Sequence, residues 1–188
     1  GKKLNFMGNE LAEFDEWKEF QPISFDVLNY PKHCGVQKLI ADLNHIYVEH
    51  PCMHIEEYNP KTFGWIMADN CDQSVYVFKR ESEEECMIFI FNMTPNFYWD
   101  YDVGVPYEGT YREILNTDKA IYGGWNQDNS QPLVTHGNGG AHNQKFKITL
   151  KIPSFGAIYL VHHKETEEDQ KKRLAKDGNQ TIETTDIR

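Results

Sequence analysis

Between Lys145 and Pro153 the chain reads Lys-Phe-Lys-Ile-Thr-Leu-Lys-Ile-Pro, and apolar and polar residues alternate without a slip. Successive side chains of a strand point to opposite faces, so this pattern puts Phe146, Ile148, Leu150 and Ile152 on one face. Lys145, Lys147, Thr149 and Lys151 fall on the other. A helix would scatter both sets around its axis. Similar short runs recur through the preceding hundred residues: "FGWIMAD" from Phe63, "SVYVFKR" from Ser74, "CMIFIFNM" from Cys86 and "TYREILNTD" from Thr110. "GAIYLVHH" from Gly156 closes the set, and "CMIFIFNM" is apolar enough for a central strand. Short strands separated by turn residues predict an antiparallel β-sandwich over residues 61–163. Residues 123–143 are rich in Gly, Asn and Gln and read as a long, mobile loop.

The first 60 residues read differently. Leu4 to Met7 is short, apolar and unalternating, as in a strand buried on both faces. Asn9 to Pro22 reads as an acidic, aromatic loop. From Gly35 to His50, Val36, Leu39, Ile40, Leu43, Ile46 and Tyr47 recur at helical spacing, and Pro51 stops the run. One strand and one amphipathic helix cannot close a core, so residues 1–60 need a partner surface. From Lys164 to Arg188 nearly every residue is charged or polar, and this stretch reads as a disordered tail.

Charge and cysteine usage narrow the function. The net charge is -10 and the isoelectric point is near 5.2. That sign opposes phosphate backbones and anionic membrane surfaces, so neither nucleic acid nor membrane is an expected partner. No apolar stretch approaches the roughly 20 residues of a membrane span, and no signal peptide is visible. Cys34, Cys52, Cys71 and Cys86 form no CxxC pair and read as free, mostly buried thiols in a reducing cytoplasm. His50 and His54 are separated by Pro51, and His162 and His163 point to opposite faces of a strand, so no zinc spacing exists. Gly-Asn-Gly-Gly at 137–140 lacks the strand, helix and lysine of a phosphate loop. No cofactor is expected. Glu13, Asp15, Glu16 and Glu83 to Glu85 read as solvated acidic surface. What remains is sugar chemistry: aromatic residues are 13% of the chain, and Trp65, Trp99 and Trp125 could stack on the apolar faces of glucose.

Several stretches carry a family resemblance. "GKKLNFMGNELAEFDEW" resembles the eighth strand and following loop of the catalytic (β/α)8 barrel in bacterial-type 1,4-α-glucan (glycogen) branching enzymes of the α-amylase superfamily. "HCGVQKLIADLNHIYVEHPCMH" is similar to their last barrel helix. "FGWIMADN", "SVYVFKR", "NMTPNFYWDYDVGVP", "TYREILNTD" with "YGG", and "KITLKIPSFGAIYLV" resemble their C-terminal all-β domain in order and spacing. The resemblance implies a mainly β chain: a sandwich domain preceded by the last strand and helix of the barrel, the chain being a carboxy-terminal piece. It implies glycosyltransferase activity in the parent protein, which cuts an α-1,4 link and rejoins it as an α-1,6 branch. The retaining chemistry needs two carboxylates about 5 Å apart. In the family these lie on earlier strands, so no catalytic residue is carried here and the piece alone is expected to be inactive. Expected partners are α-glucan and the remainder of the barrel. Asn9 and Glu10 would sit at the barrel rim, and with Trp65 and Trp99 they form the expected substrate-binding set. Two rival readings are a stand-alone starch- or glycogen-binding module and the end of another α-amylase superfamily hydrolase. The amphipathic helix speaks against the module, because it needs the barrel as its partner, and "REILNTD" with "YGG" disfavours the hydrolase.

Overall fold

The computed structural model describes residues 3–136 and 139–164. The reading of a tail over 164–188 therefore lies outside the described residues, apart from Lys164. Among the described residues eight strands form: β1 (Phe63–Met67), β2 (Val75–Glu81), β3 (Glu85–Asn92), β4 (Tyr98–Val105), β5 (Thr110–Asn116), β6 (Leu133–Val134), β7 (Phe146–Ile152) and β8 (Ala157–His163). Six of them make one antiparallel sheet in the order β1-β2-β3-β8-β5-β6, and β4 pairs with β7 in a second.

The alternation in β7 does what its spacing dictates. Ile148, Leu150 and Ile152 are buried, opposite Val103, Tyr101 and Tyr98 of β4. Together with Val105 they pack against Val75, Val77, Ile88, Ile90, Ile158 and Leu160 of the larger sheet, which is the sandwich core. β3 and β8 lie in the middle of that sheet and are covered on both sides, so β3 is apolar from Cys86 to Phe91. Cys86, Ile88 and Ile90 face the sandwich core, while Met87 and Phe89 face a second core.

That second core lies beneath the one α-helix among the described residues, α1 (Pro31–Glu49). The helix begins at Pro31 rather than Gly35, because proline at a first helical position loses no hydrogen bond. Its stripe of Leu39, Leu43, Ile46 and Tyr47 packs on Met87, Phe89, Leu115 and Val161. The partner surface that the helix requires is thus the outer face of the large sheet, which removes the helix as an objection to a stand-alone module. Gly35 permits a close approach on this side. A Cβ there would lie 2.5 Å from the carbonyl oxygen of Tyr122, so any side chain would push the helix off the turn at Ala120–Tyr122.

Other expectations need correction. Leu4 to Met7 is not a strand, and Leu4, Phe6 and Met7 are exposed. A strand exists only where a neighbour accepts its backbone hydrogen bonds, and no described segment lies alongside. The loop reading after Asn9 omitted the 3-10 turn Asn9–Leu11, which starts from Gly8 at φ +86 and buries Leu11 completely. β4 was unforeseen as a strand. A register shift between Tyr98 and Tyr101 exposes both Trp99 and Asp100 and so breaks the alternation. The loop expected from Gly123 to Asn143 contains β6 and a bridge from His136 to Lys147. It is also anchored: Asn129 bonds both the amide and the carbonyl of Lys151, and Asp118 accepts from the amides of Trp125 and Gln127. Of the cysteines, Cys52 and Cys86 are buried, Cys34 is half-buried and Cys71 is exposed. Burial pushes the Cys86 thiol up to about 12, so it stays protonated and inert.

Candidate functional site

The four residues expected to bind substrate do not converge. Asn9 is exposed on the turn after Gly8, and Glu10 is half-buried beside it, its Oε2 accepting from Asn5 Nδ2 at 3.0 Å. This turn rests on the first turn of α1, where His33 Nδ1 lies 2.8 Å from the Leu11 carbonyl. Trp65 belongs to edge strand β1 and Trp99 to the other sheet. No hydrogen bond or ring contact among the described residues joins the three places.

Trp65 is 56% exposed and packs edge-on against Phe63 at 5.7 Å and Phe78 at 5.6 Å. Phe78 stacks on Phe89 at 4.6 Å, and Phe89 meets the edge of Tyr159 at 4.6 Å. Trp65 is therefore the exposed end of a continuous row of rings whose inner end lies under α1. The row makes its ring rigid, which a stacking platform requires. The sequence signalled Trp65 but not the row, because its members come from four strands.

Trp99 is 64% exposed. It lies on the outer face of β4, edge-on to Phe97 at 4.6 Å, with Lys151 Nζ 6.0 Å from its ring centre. Trp125 is more exposed still, at 87%, and its ring has no aromatic neighbour among the described residues.

A buried polar cluster lies where α1 ends. Glu85, expected on a solvated acidic surface, is 4% exposed. Its Oε2 lies 2.8 Å from His50 Nδ1, and its Oε1 accepts from the Cys52 amide at 3.1 Å. Arg80, equally buried, donates its Nε–H to the Cys52 carbonyl at 2.8 Å, while its Nη2 has no partner. Burial alone would raise the Glu85 carboxyl; the donors from His50 and Cys52 outweigh it and hold the group below its ordinary value. Since the carboxylate is ionised, His50 must present an N–H to it. The cluster ties the helix end to β2 and β3. Glu85 and Arg80 are buried, and His50 is half-buried. Among the described residues no three His, Cys, Asp or Glu side chains converge as metal ligands would.

Residues 65–163 match the family model described as "Alpha amylase, C-terminal all-beta domain", from the Trp65 strand through β8. The chain belongs to the alpha-amylase C-terminal all-beta domain family. Its sandwich is that domain, and α1 and the turns before it precede the matched residues. The 1,4-alpha-glucan branching enzyme GlgB 1 of Clostridium perfringens strain 13 is 37% identical over 174 residues, covering 89% of this chain and 26% of that enzyme. GlgB of Aquifex aeolicus strain VF5 is 36% identical over 169 residues, covering 86% and 26% respectively. The chain is homologous to the C-terminal portion of these enzymes and spans about a quarter of the length of the curated relatives it matches. A solved structure titled as CldA, "the first cyclomaltodextrin glucanotransferase with a three-domain ABC distribution", aligns with 86% of this chain and 29% of its own at 12% identity and a TM-score of 0.47.

Proposed function

We propose that the chain is the C-terminal part of a 1,4-α-glucan branching enzyme, acting in the cytoplasm to form α-1,6 branches in glycogen. The observation that carries this reading is the 37% identity over 174 residues to GlgB 1, which continues through the residues ahead of the β domain. In this reading residues 1–60 are the end of the catalytic barrel, residues 61–163 are the domain that braces it, and the catalytic carboxylates belong to earlier barrel strands. Asn9 and Glu10 stand at the barrel rim, and Trp65 is a platform for α-glucan. The exposed Phe14, Phe20 and Phe25 near the start of the chain suit contact with other barrel elements. The net charge of -10 leaves neutral polysaccharide unopposed. No helix among the described residues is long and apolar enough to cross a membrane.

A single stacked ring with a few exposed hydrogen bonds gives about millimolar affinity, roughly -4 kcal/mol. Maltoheptaose titrated into the chain is expected to shift the indole N–H signal of Trp65, and Trp65→Ala is expected to abolish binding at this ring without unfolding the domain. A Trp65 signal that stays still throughout the titration, or a Trp65→Ala variant whose only defect is a much lower melting temperature, would assign the ring to packing alone.

A further inference from the structure

We propose that the outer face of the β4–β7 sheet is a second, separate station for linear α-glucan, centred on Trp99. The inference rests on the glucan-handling reading above and extends it to a face that carries none of the residues facing α1. The two tryptophans lie on opposite sides of the molecule. Trp65 shares the α1 side of the large sheet with Phe78, Phe89 and Tyr159. β4 and β7 send Tyr101, Val103, Ile148 and Leu150 inward, which leaves Trp99 on the side turned away. Packed sheets lie about 10 Å apart, and the helix layer adds to this, so one glucose unit cannot touch both rings.

The outer face has the chemistry of a sugar site. Trp99 sits at the irregularity between Tyr98 and Tyr101, which turns its ring outward instead of into the ladder. The Phe97 edge at 4.6 Å fixes the ring plane. Lys151, its backbone clamped at both polar groups by Asn129, holds its ammonium over one face of the ring at 6.0 Å, so a sugar stacks on the opposite face with this donor across the ring. Further along the same face, Asp102 accepts from Thr149 Oγ1 and Lys147 Nζ, each at 2.6 Å. Those donors hold the Asp102 carboxyl below its ordinary value. Asp102 and Lys147 thus neutralise each other, Asp100 and Lys151 at the ring end carry opposite charges, and the strip presents an aromatic plane followed by fixed donors and acceptors. That suits an uncharged polyhydroxyl chain and gives little purchase to an ion or a strongly charged partner. Trp99, Asp100 and Asp102 are exposed on β4.

The four tryptophan indole signals of the intact chain separate the two stations in one experiment, assigned by single Trp→Phe variants. Maltoheptaose is expected to move the Trp99 signal along a saturating curve that persists in Trp65→Ala. Trp99→Ala should weaken binding to the outer face, read from the Lys151 amide signal, by about tenfold while leaving the Trp65 curve unchanged. Lys151→Met, which keeps the stem and removes the charge, should weaken the Trp99 curve alone. A Trp99 signal that does not move while Trp65 responds overturns this inference and leaves the Trp65 reading standing. A response of Trp99 alone does the reverse. Silence at both rings overturns both glucan-binding assignments. A Trp99 curve abolished by Trp65→Ala would mean one site rather than two, and would also overturn the inference.

Discussion

Replacing Glu85 with alanine is expected to destabilise the chain by about 3–5 kcal/mol, because one side of a buried, hydrogen-bonded charge cluster is removed and the rest stays behind. His50 loses its acceptor at 2.8 Å, and the Cys52 amide loses its own at 3.1 Å. Glu85→Gln keeps an acceptor for the Cys52 amide and should cost less. The effect has a defined pH dependence. The folded carboxyl lies below its ordinary value of 4.5, so its ionised form stabilises the fold fully at pH values above that value. As pH falls below about 4.5 toward the folded value, this contribution is lost and the gap between wild type and Glu85→Ala narrows. Urea unfolding at pH 7 and again near pH 4 measures both parts. Equal midpoints for wild type and Glu85→Ala at pH 7 would show that the cluster carries no stability.

Phe89→Ala should cost a similar amount, about 3–5 kcal/mol, for an apolar reason. Phe89 is 2% exposed and sits where strand and helix layers meet, touching Phe78 and Tyr159 and facing the α1 stripe. Deleting the ring leaves a cavity that three rigid elements cannot collapse to fill. It also frees the inner end of the aromatic row that ends at Trp65. Broadening of the Trp65 indole signal should therefore accompany the lowered melting temperature. A variant that melts as wild type would mean that the helix layer does not close over this ring.

The sandwich was legible in the sequence because its strands obey simple rules. β7 is solvated on one face and alternates; β3 is buried on both and runs apolar. β4 was lost because its irregularity at Trp99 and Asp100 breaks the period, and a single-residue slip moves side chains to the other face. The helix was read from its stripe, yet its partner surface could not be, since the stripe fits a barrel neighbour as well as a sheet face. The apparent strand at Leu4 shows the opposite limit: an apolar run records what a segment tolerates, while pairing depends on what lies beside it. In the sequence Glu85 reads as solvated surface because Glu83 and Glu84 precede it. Only the register of β3 reveals that the third glutamate of that run turns inward toward His50 and Cys52. The candidate rings were visible as tryptophans. Their supports, Phe63 and Phe78 for one and Phe97 and Lys151 for the other, are brought together by the fold.

The proposed role is tested most directly by exchange. This chain would replace the matching C-terminal segment of the Clostridium perfringens GlgB 1, and new α-1,6 links in amylose would be counted after isoamylase debranching. The account predicts that the hybrid branches amylose at a rate within about tenfold of the parent enzyme, a change of about 1.4 kcal/mol in the barrier, while the chain alone forms no branches. A soluble, folded hybrid that makes no α-1,6 links, or branching by the isolated chain, would contradict it.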